Sequence, residues 1–327
     1  MKKIINKPGE IISEMQQGLV KSYPYLIHQV ADSRVITKNK QQPQVGLVSG
    51  GGSGHEPAHA GFVGDGMLSA AVLGDVFTSP TPDQIQTAIA DADQGQGVLL
   101  IVKNYTGDIL NFEMAKDLAE MEDIQVEMLV VDDDVAVENS TYTAGKRGVA
   151  GTVLVHKIIG DAARNGASLA ELKALGEQLL PAIKTIGVAL RGATVPEVGK
   201  PGFELAEDEM EFGVGIHGEP GYRREKLLTS RGIAEELVTK LLSNYDRKPE
   251  QVAVLVNGMG ATPLMEQFVF MNDVQNLLAE KKVAVSFAKV GNYMTSLDMV
   301  GISLTLVDLQ EESWLFALQS PVEVISW

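Results

Sequence analysis

The sequence predicts an α/β protein of two domains, each built on a mixed sheet covered by helices. Apolar β-branched segments alternate with amphipathic helical segments along the chain, which is typical of this architecture. Several strand segments are apolar on both faces, as buried strands are. At 327 residues the chain exceeds an ordinary single-core domain. We therefore expect an N-terminal domain over 1–184, which carries most of the ligand-binding loops, and a C-terminal domain over 185–327.

Eight segments have the composition of strands. They are short and rich in Val, Ile and Leu, and glycine or polar residues follow most of them. In chain order they are QVGLVS (44–49), GVLLIVK (97–103), VEMLVV (126–131), IGVALR (186–191), MEFGVGI (210–216), QVAVLV (251–256), VAVSFAKV (283–290) and GISLTLVDL (301–309).

Six segments between the strands have the periodicity of amphipathic helices. They are PDQIQTAIADA (82–92), ILNFEMAKDLAEM (109–121), GVAGTVLVHKIIGDAARNG (148–166), SLAELKALGEQLLPAIK (168–184), RGIAEELVTKLLSN (231–244) and PLMEQFVFMNDVQNLLAEKK (263–282). Ser168 and Glu171 resemble a capping box that opens the fourth helix. We place the domain boundary after that helix, near residue 184.

Charge and composition argue against several classes of function. Acidic residues outnumber basic ones by 43 to 27, and a net charge of −16 repels nucleic acid and anionic membranes. The one dense basic cluster, Arg223, Arg224 and Lys226, is interpreted as a solvated loop. Cysteine is absent, and no run reaches the roughly 18 apolar residues of a membrane helix. The opening residues MKKIINKPGEIISEM lack the long apolar stretch of a secretory signal, so we expect a cytoplasmic protein.

Glycine-rich polar loops follow nearly every predicted strand. Ligands of open α/β sheets bind beyond the carboxyl ends of strands, so these loops predict a binding site. The richest loop is SGGGSGHEP (49–57). It lacks the GK[ST] of a Walker A loop, and His55 or Pro57 stands where GxGxxG needs its third glycine. Its backbone can still approach a ligand closely and offer N–H groups, so we interpret it as a ligand-binding loop.

The segment HEPAH (55–59) matches the HExxH pattern of zinc hydrolases. That chemistry needs both histidines on one face of a helix. Proline is tolerated only in the first turn of a helix, so Pro57 leaves His55 in the preceding loop and removes the shared face. A zinc hydrolase is therefore a remote alternative, and we expect no metal site. The role of His59 stays open.

Two histidines and one aspartate are candidates for catalysis. His55 and His217 both lie in glycine-flanked loops after predicted strands, and Asp108 ends KNYTGD after an apolar strand. His28 and His156 lie inside amphipathic segments and are interpreted as structural or surface residues. His55, His217 and Asp108 are therefore the residues that we expect to take part in catalysis.

The acidic run Asp132-Asp133-Asp134 follows another predicted strand. Adjacent carboxylates on a strand point to alternate faces, so all three cannot bind one ion. A polar strand end or a helix cap is favoured over a metal site.

Eight longer blocks occur in order between residues 50 and 306. They are GGGSGHEP (50–57), GDVFTSPTPDQI (74–85), KNYTGDILNFE (103–113), VDDDVAV (131–137), TAGKRGVAGTVLVHK (143–157), EMEFGVGIHGEPG (209–221), NGMGATP (257–263) and TSLDMVGISLTL (295–306). Together they resemble the substrate-binding subunit of the phosphotransferase-system-dependent dihydroxyacetone kinases over essentially the whole chain. Blocks of this length are far more specific than any short motif.

The resemblance implies one substrate-binding site, to which both α/β domains contribute residues. It also implies a homodimer. It implies that His217 of GIHGEPG bonds covalently to the carbonyl carbon of dihydroxyacetone as a hemiaminal. The family's second catalytic histidine falls on His55 and its carboxylate base on Asp108. Its hydroxyl-binding positions fall on Gly52, Ser79 and Lys103.

The resemblance also implies partners. Single-chain members of the family carry a helical nucleotide domain, whereas this sequence stops at Trp327, as the bacterial split form does. We therefore expect no cofactor on this chain, with ADP or ATP and Mg²⁺ on a separate kinase subunit that a phosphoenolpyruvate-driven phosphotransferase component recharges. The alternative is a dihydroxyacetone-sensing paralogue that acts as a transcriptional co-activator. Asp108 favours the kinase, because sensing does not need a base.

Overall fold

The computed structural model describes residues 2–138 and 143–327. These residues form two six-stranded mixed sheets and eight α-helices, which confirms the predicted fold class. The strands are β1 (Ile27–Gln29), β2 (Val35–Lys38), β3 (Gly46–Ser53), β4 (Ala70–Val76), β5 (Val98–Lys103), β6 (Val126–Val131), β7 (Ile183–Arg191), β8 (Glu209–Phe212), β9 (Arg223–Lys226), β10 (Gln251–Gly258), β11 (Ala284–Gly291) and β12 (Val300–Asp308). The helices are α1 (Ile11–Ser22), α2 (Pro82–Ala92), α3 (Thr106–Glu120), α4 (Thr152–Arg164), α5 (Leu169–Leu179), α6 (Ser230–Leu242), α7 (Leu264–Glu280) and α8 (Glu312–Gln319). Within the described ranges, no helix is both long enough and apolar enough to cross a membrane.

The first sheet has the strand order β1-β2-β4-β3-β5-β6. Strands β3 to β6 run parallel, and β1 and β2 add an antiparallel edge. The chain passes from β3 to β4 on one side and then crosses to β5 on the other side. The carboxyl ends of β3 and β5 therefore flank a topological switch point, which is where open α/β sheets bind ligands.

The second sheet has the order β11-β10-β12-β7-β8-β9, and only β10 and β11 pair in parallel. Both sheets bury both faces. In β5, Leu99 and Ile101 face a central core that includes α4, whereas Val98 faces an outer core under α2 and α3. In β10, Leu255 faces the same central core and Val254 packs under α6 and α7. This alternation explains why the strands read as continuous apolar segments.

The boundary between the two predicted domains stays a prediction. Strands β1 to β6 form the first sheet and β7 to β12 the second, so residue 184 falls at the start of β7. The C-terminal segment returns to the first half of the chain, where Glu323 forms an isolated bridge with Asp65.

All eight predicted strands and all six predicted helices are present. Four further strands and two further helices were not predicted from the sequence. β1, β2 and β9 have three or four residues each, and β4 contains a glycine, so none shows a sustained period of two. α8 has only eight residues, whereas α1 is amphipathic and could have been predicted. The segment predicted as a strand over 210–216 ends at Phe212, because Gly213 turns the chain with a φ of +80°.

The basic cluster is a strand rather than the predicted loop. Arg223, Arg224 and Lys226 lie in β9, at the edge of the second sheet. Each forms an ion pair with an acidic residue, so their charges are compensated locally. Charged side chains on an edge strand also oppose pairing with other chains.

Candidate active site

A cavity of about 620 Å³ lies at the carboxyl ends of β3, β4 and β5. Four residues nominated from the sequence line it, namely Gly52, Ser79, Asp108 and His217. The other two, His55 and Lys103, are buried behind them, where they contact His217 and Asp108 respectively. The structure thus brings all six nominated residues together, five from the first half of the chain and His217 from the second.

The glycine run at the end of β3 lets the main chain pass close to its neighbours. A Cβ atom on Gly52 would lie 2.5 Å from the amide nitrogen of Thr78. A Cβ atom on Gly51, whose φ is +148°, would lie 2.5 Å from Nζ of Lys103. Glycine is therefore required here by the close approach of the β4–α2 loop and of a buried ammonium group.

His55 is held from three sides. Its Nδ1 lies 2.8 Å from the carbonyl oxygen of Thr295, and because a carbonyl can only accept, Nδ1 carries a proton. Its ring stacks on Phe77 with a centroid distance of 5.1 Å, and its Nε2 lies 3.1 Å from Nε2 of His217. Burial, followed by the nearby His217 and Lys103, lowers the pKa of His55 well below its ordinary value.

His217 is oriented by a carboxylate two residues further along the chain. Its Nδ1 lies 3.0 Å from Oε1 of Glu219, and its backbone N–H donates to Oε2 at 2.9 Å. Burial alone would raise the pKa of Glu219, but the hydrogen bond and charge of His217, with the charge of Arg147, hold that pKa below its ordinary value. Glu219 is therefore a carboxylate, and Nδ1 of His217 carries a proton. The Tyr105 ring packs edge-on against the imidazole at 4.6 Å.

The contact between the two imidazoles needs a proton of its own. Both Nδ1 atoms donate outward, to Thr295 and to Glu219, so two neutral rings would face each other with lone pairs on both Nε2 atoms. A third proton turns this 3.1 Å contact into a hydrogen bond and gives the pair one positive charge. Burial strongly lowers the pKa of His55 and so disfavours a positive charge on that ring, and the carboxylate of Glu219 lies beside the ring of His217.

Asp108 lies in the first turn of α3 and contacts Lys103 at the end of β5. The distance from Oδ2 to Nζ is 3.6 Å, longer than the roughly 2.7–2.9 Å of a direct charge-assisted hydrogen bond. Ser79 lines the same cavity, and its Oγ accepts a hydrogen bond from Asn111 at 3.3 Å. A carboxylate and a hydroxyl thus line the space next to His217, with an ammonium group buried behind the carboxylate, a set suited to a small ligand rich in hydroxyl groups.

The HEPAH segment is a turn rather than a helix, and its two histidines contact different groups. His55 contacts Thr295 and His217, whereas His59 contacts Lys103 and His156. In the part of the chain that the structure describes, no group of three His, Asp or Glu residues is arranged to hold a metal ion. The shared helical face that a zinc hydrolase requires is therefore missing.

The acidic run after β6 serves as a polar strand end, as predicted. Asp133 accepts the backbone N–H groups of Val149 and Gly151, which precede α4, at 2.7 and 2.8 Å. Asp134 forms a buried ion pair with Arg147. These carboxylates fix the start of the central helix.

Four further residues of the site were not predicted from the sequence, namely Phe77, Tyr105, Glu219 and Thr295. Glu219 stood inside GIHGEPG, and its position two residues after a nominated histidine is the signal that could have found it. Phe77 and Tyr105 are aromatic residues in loops, which have no distinguishing pattern. Thr295 contacts His55 through its backbone carbonyl, which no side-chain pattern reports.

Comparison with known proteins gives consistent matches over the full chain. Residues 17–325 match the Dak1 domain. The chain is 62% identical over 329 residues to the Listeria innocua protein named PTS-dependent dihydroxyacetone kinase 1, dihydroxyacetone-binding subunit DhaK, with 100% of each chain covered. It is 44% identical to the DhaKLM operon coactivator DhaQ of Lactococcus lactis, over 99% of this chain and 100% of that protein. The solved dihydroxyacetone kinase of C. freundii in complex with AMP-PNP and Mg²⁺ has a TM-score of 0.93 and 34% identity, covering 100% of this chain and 60% of that chain.

Proposed function

This chain belongs to the Dak1 domain family, and on that premise we propose that it binds dihydroxyacetone covalently on His217, as the substrate-binding subunit of a phosphoenolpyruvate-dependent dihydroxyacetone kinase. The observation that carries the proposal is the orientation of His217. Its Nδ1 is bound to Glu219, which leaves Nε2 as the reactive nitrogen beside His55 in the cavity. The full-length Listeria innocua relative, which is named a dihydroxyacetone-binding subunit, supports the choice of substrate.

The two histidines together can add to a ketone. The proton between them passes from His217 to Nε2 of His55 and frees a lone pair on Nε2 of His217. That lone pair forms a bond to the carbonyl carbon, the π electrons of the C=O bond move to oxygen, and His55 gives its proton to this oxygen. The product is a hemiaminal whose imidazole ring is positively charged, and the carboxylate of Glu219 compensates that charge.

Covalent capture explains how the site would distinguish a ketone from an alcohol. An imidazole nitrogen attacks a carbonyl carbon but cannot add to the saturated carbon of glycerol. Hydroxyl contacts to Ser79, Lys103 and the backbone of Gly52 would serve both molecules equally. We therefore expect dihydroxyacetone to bind far more tightly than glycerol in calorimetry. Equal affinities would contradict carbonyl capture.

Asp108 is proposed as the base of the phosphoryl transfer. The adduct holds the triose in place, so that a terminal hydroxyl is presented for in-line attack on the γ-phosphate of ATP. Asp108 lines the same cavity as His217 and can accept the proton that this hydroxyl loses. Lys103, in contact with Asp108, would bind a hydroxyl of the triose.

The nucleotide is proposed to come from a separate subunit. The family resemblance implies ADP or ATP with Mg²⁺ on that partner, and the "PTS-dependent" name of the Listeria relative supports recharging by a phosphotransferase system. We propose that this takes place in the cytoplasm. The chain matches only 60% of the C. freundii kinase that was solved with AMP-PNP and Mg²⁺, which is consistent with a nucleotide site outside the matched part.

We also propose that the chain is a homodimer. Several large apolar side chains around the start of α7 and the loop before α6 are exposed, and exposed apolar patches mark interaction surfaces. They are Leu227, Leu228, Leu264, Met265 and Phe268. Light scattering of the purified chain should give twice the monomer mass, and a monomer at micromolar concentration would contradict the proposal.

A second candidate function is dihydroxyacetone sensing, because the Lactococcus lactis coactivator is similar over its full length. A sensor could keep His217 and still not phosphorylate its ligand. The buried Asp108 next to Lys103 favours the kinase, since binding alone does not need a base.

The test compares the isolated chain with a reconstituted system. The chain is mixed with dihydroxyacetone, phosphoenolpyruvate, ATP, Mg²⁺ and a cell extract, and the extract is then omitted. Dihydroxyacetone phosphate should form only when the extract is present. Turnover by the isolated chain would contradict the separate nucleotide subunit, and inactivity of the complete system would favour the sensor.

A further inference from the structure

A second pair of histidines lies behind the candidate site, and the proposed chemistry does not use it. Nδ1 of His59 lies 3.0 Å from Nε2 of His156, and both side chains are buried. On its other side, Nε2 of His59 lies 3.3 Å from Nζ of Lys103. A continuous line of polar contacts therefore runs from Asp108 through Lys103 and His59 to His156.

The direction of each hydrogen bond in this line follows from its donors. An ammonium group can only donate, so Nε2 of His59 is an acceptor and its proton lies on Nδ1. That proton points to Nε2 of His156 and to Oγ of Ser49, which already donates its own hydrogen to Ile101 at 2.6 Å. Nε2 of His156 therefore accepts, and its proton lies on Nδ1, which is buried and has no hydrogen-bond partner among the described residues. Burial, followed by the charge of Lys103, lowers the pKa of both histidines, that of His156 to about 3, so both rings are neutral.

The ammonium group of Lys103 can donate three hydrogen bonds. Two acceptors that do not line the cavity contact this group, the carbonyl oxygen of Gly50 at 3.4 Å and Nε2 of His59 at 3.3 Å. The third hydrogen is left for Asp108 and the cavity. The 3.6 Å separation from Asp108 shows that the ammonium group does not form a close ion pair with this carboxylate.

We propose that His59 is a positioning residue, which holds the ammonium group of Lys103 back from Asp108, and that His156 accepts the hydrogen bond from Nδ1 of His59 in the tautomer that this requires. Asp108 then keeps its carboxylate available for the hydroxyl of the substrate, and Lys103 keeps one N–H for a second hydroxyl. Without the acceptor on His59, Lys103 would move onto Asp108 and occupy the base in a direct ion pair. This inference rests on the proposed role of Asp108 as the base.

The first test compares two substitutions of His59 in the complete kinase system. His59→Leu removes the acceptor for Lys103, whereas the amide oxygen of His59→Gln keeps it. We expect His59→Leu to form the triose adduct and to lower kcat about 100-fold, the cost of misplacing a catalytic group by about 1 Å. His59→Gln should recover about tenfold of this loss, as expected for one hydrogen bond to a charged group. His28→Gln, which alters an exposed histidine outside the line, should turn over at the wild-type rate.

The second test needs no variant. In ¹⁵N spectra of histidine-labelled protein, His59 and His156 should each show a protonated Nδ1 and an unprotonated Nε2 at neutral pH. A protonated Nε2 on His59 would overturn the inference, and so would equal kcat values for the leucine and glutamine variants. Inactivity of the wild-type protein in the complete system would overturn the proposed function instead, and the spectra would still decide the direction of the hydrogen bonds.

Discussion

Two pairs of histidines in this protein have almost the same contact distance but opposite chemistry. The nitrogens of His55 and His217 lie 3.1 Å apart, and those of His59 and His156 lie 3.0 Å apart. The first pair ends on two acceptors, a carbonyl and a carboxylate, so its central contact needs an extra proton. The second pair begins at the ammonium group of Lys103, which donates to His59. One proton on each ring is then enough to make both contacts hydrogen bonds, and the pair stays neutral. The groups at the ends of each pair thus decide whether it can exchange protons or only hold a neighbour in place.

The largest effect should come from removing the nucleophile of the first pair. His217→Ala should abolish the covalent adduct, because no other histidine lines the cavity among the residues that the structure describes. Crystallography or intact-mass analysis with dihydroxyacetone would show the triose on wild-type His217 and none on the variant. His156→Gln should retain the adduct, since this residue belongs to the neutral pair. Unchanged affinity in His217→Ala would contradict the assignment of the two pairs.

Removing the base should separate binding from turnover. Asp108→Asn keeps the shape of the side chain but cannot accept the proton of the hydroxyl. In the complete system, this variant should still form the adduct and turn over at least about 100-fold more slowly, as general bases contribute about 100- to 10,000-fold. His55→Ala should differ, because His55 exchanges the proton of the adduct, so both binding and rate should fall. A near-wild-type rate for Asp108→Asn would make Asp108 a structural residue.

A smaller effect should follow from neutralising the carboxylate that ends the first pair. Glu219→Gln can still contact His217 but cannot compensate a positive charge on the adduct. We expect the dissociation constant of the triose to rise about tenfold, the lower end for a hydrogen bond to a charged group. Calorimetry measures this constant, with Glu236→Gln at a half-buried position away from the cavity as the control. An unchanged constant would mean that the adduct carries no charge on its ring.

An effect of a different kind, without consequence for the adduct, should appear in stability, where the neutral pair is sensitive to acid. The pKa of His156 is about 3 in the folded protein and about 6.5 in an unfolded chain. Between these values the unfolded state binds a proton that the folded state does not, so the free energy of unfolding falls as the pH falls. The titration of His156 in the unfolded state alone should lower the free energy of unfolding by about 2 kcal/mol between pH 7 and pH 5.

Urea unfolding at the two pH values measures this cost. His156→Gln should lose less stability on acidification than the wild type, by about the same 2 kcal/mol. His28→Gln should keep the wild-type difference, because His28 lies outside both pairs. Equal pH dependence in His156→Gln and the wild type would show that His156 is not kept neutral by the fold.

The fold class could be predicted, and the six site residues could be nominated, because both depend on local signals. Apolar segments such as GVLLIVK gave the strands, and the blocks around His55, Asp108 and His217 carried the family resemblance. Strand β9 was not predicted because its basic residues form most of their ion pairs with residues outside this strand, such as Glu211 and Glu236. The charges of neighbouring residues in the sequence do not predict such partners.

The sequence by itself determined which groups are present, namely five histidines, a lysine at the end of a strand and an aspartate after it. Only the tertiary structure decided which of these groups meet. His55 and His217 are 162 residues apart in the chain, and His59 and His156 are 97 apart, so neither spacing predicts contact. The protonation of each ring depends on an acceptor or donor from another element, such as Thr295 or Lys103. Folding brings these elements together, and so the chemistry of each histidine is set by packing rather than by its neighbours in sequence.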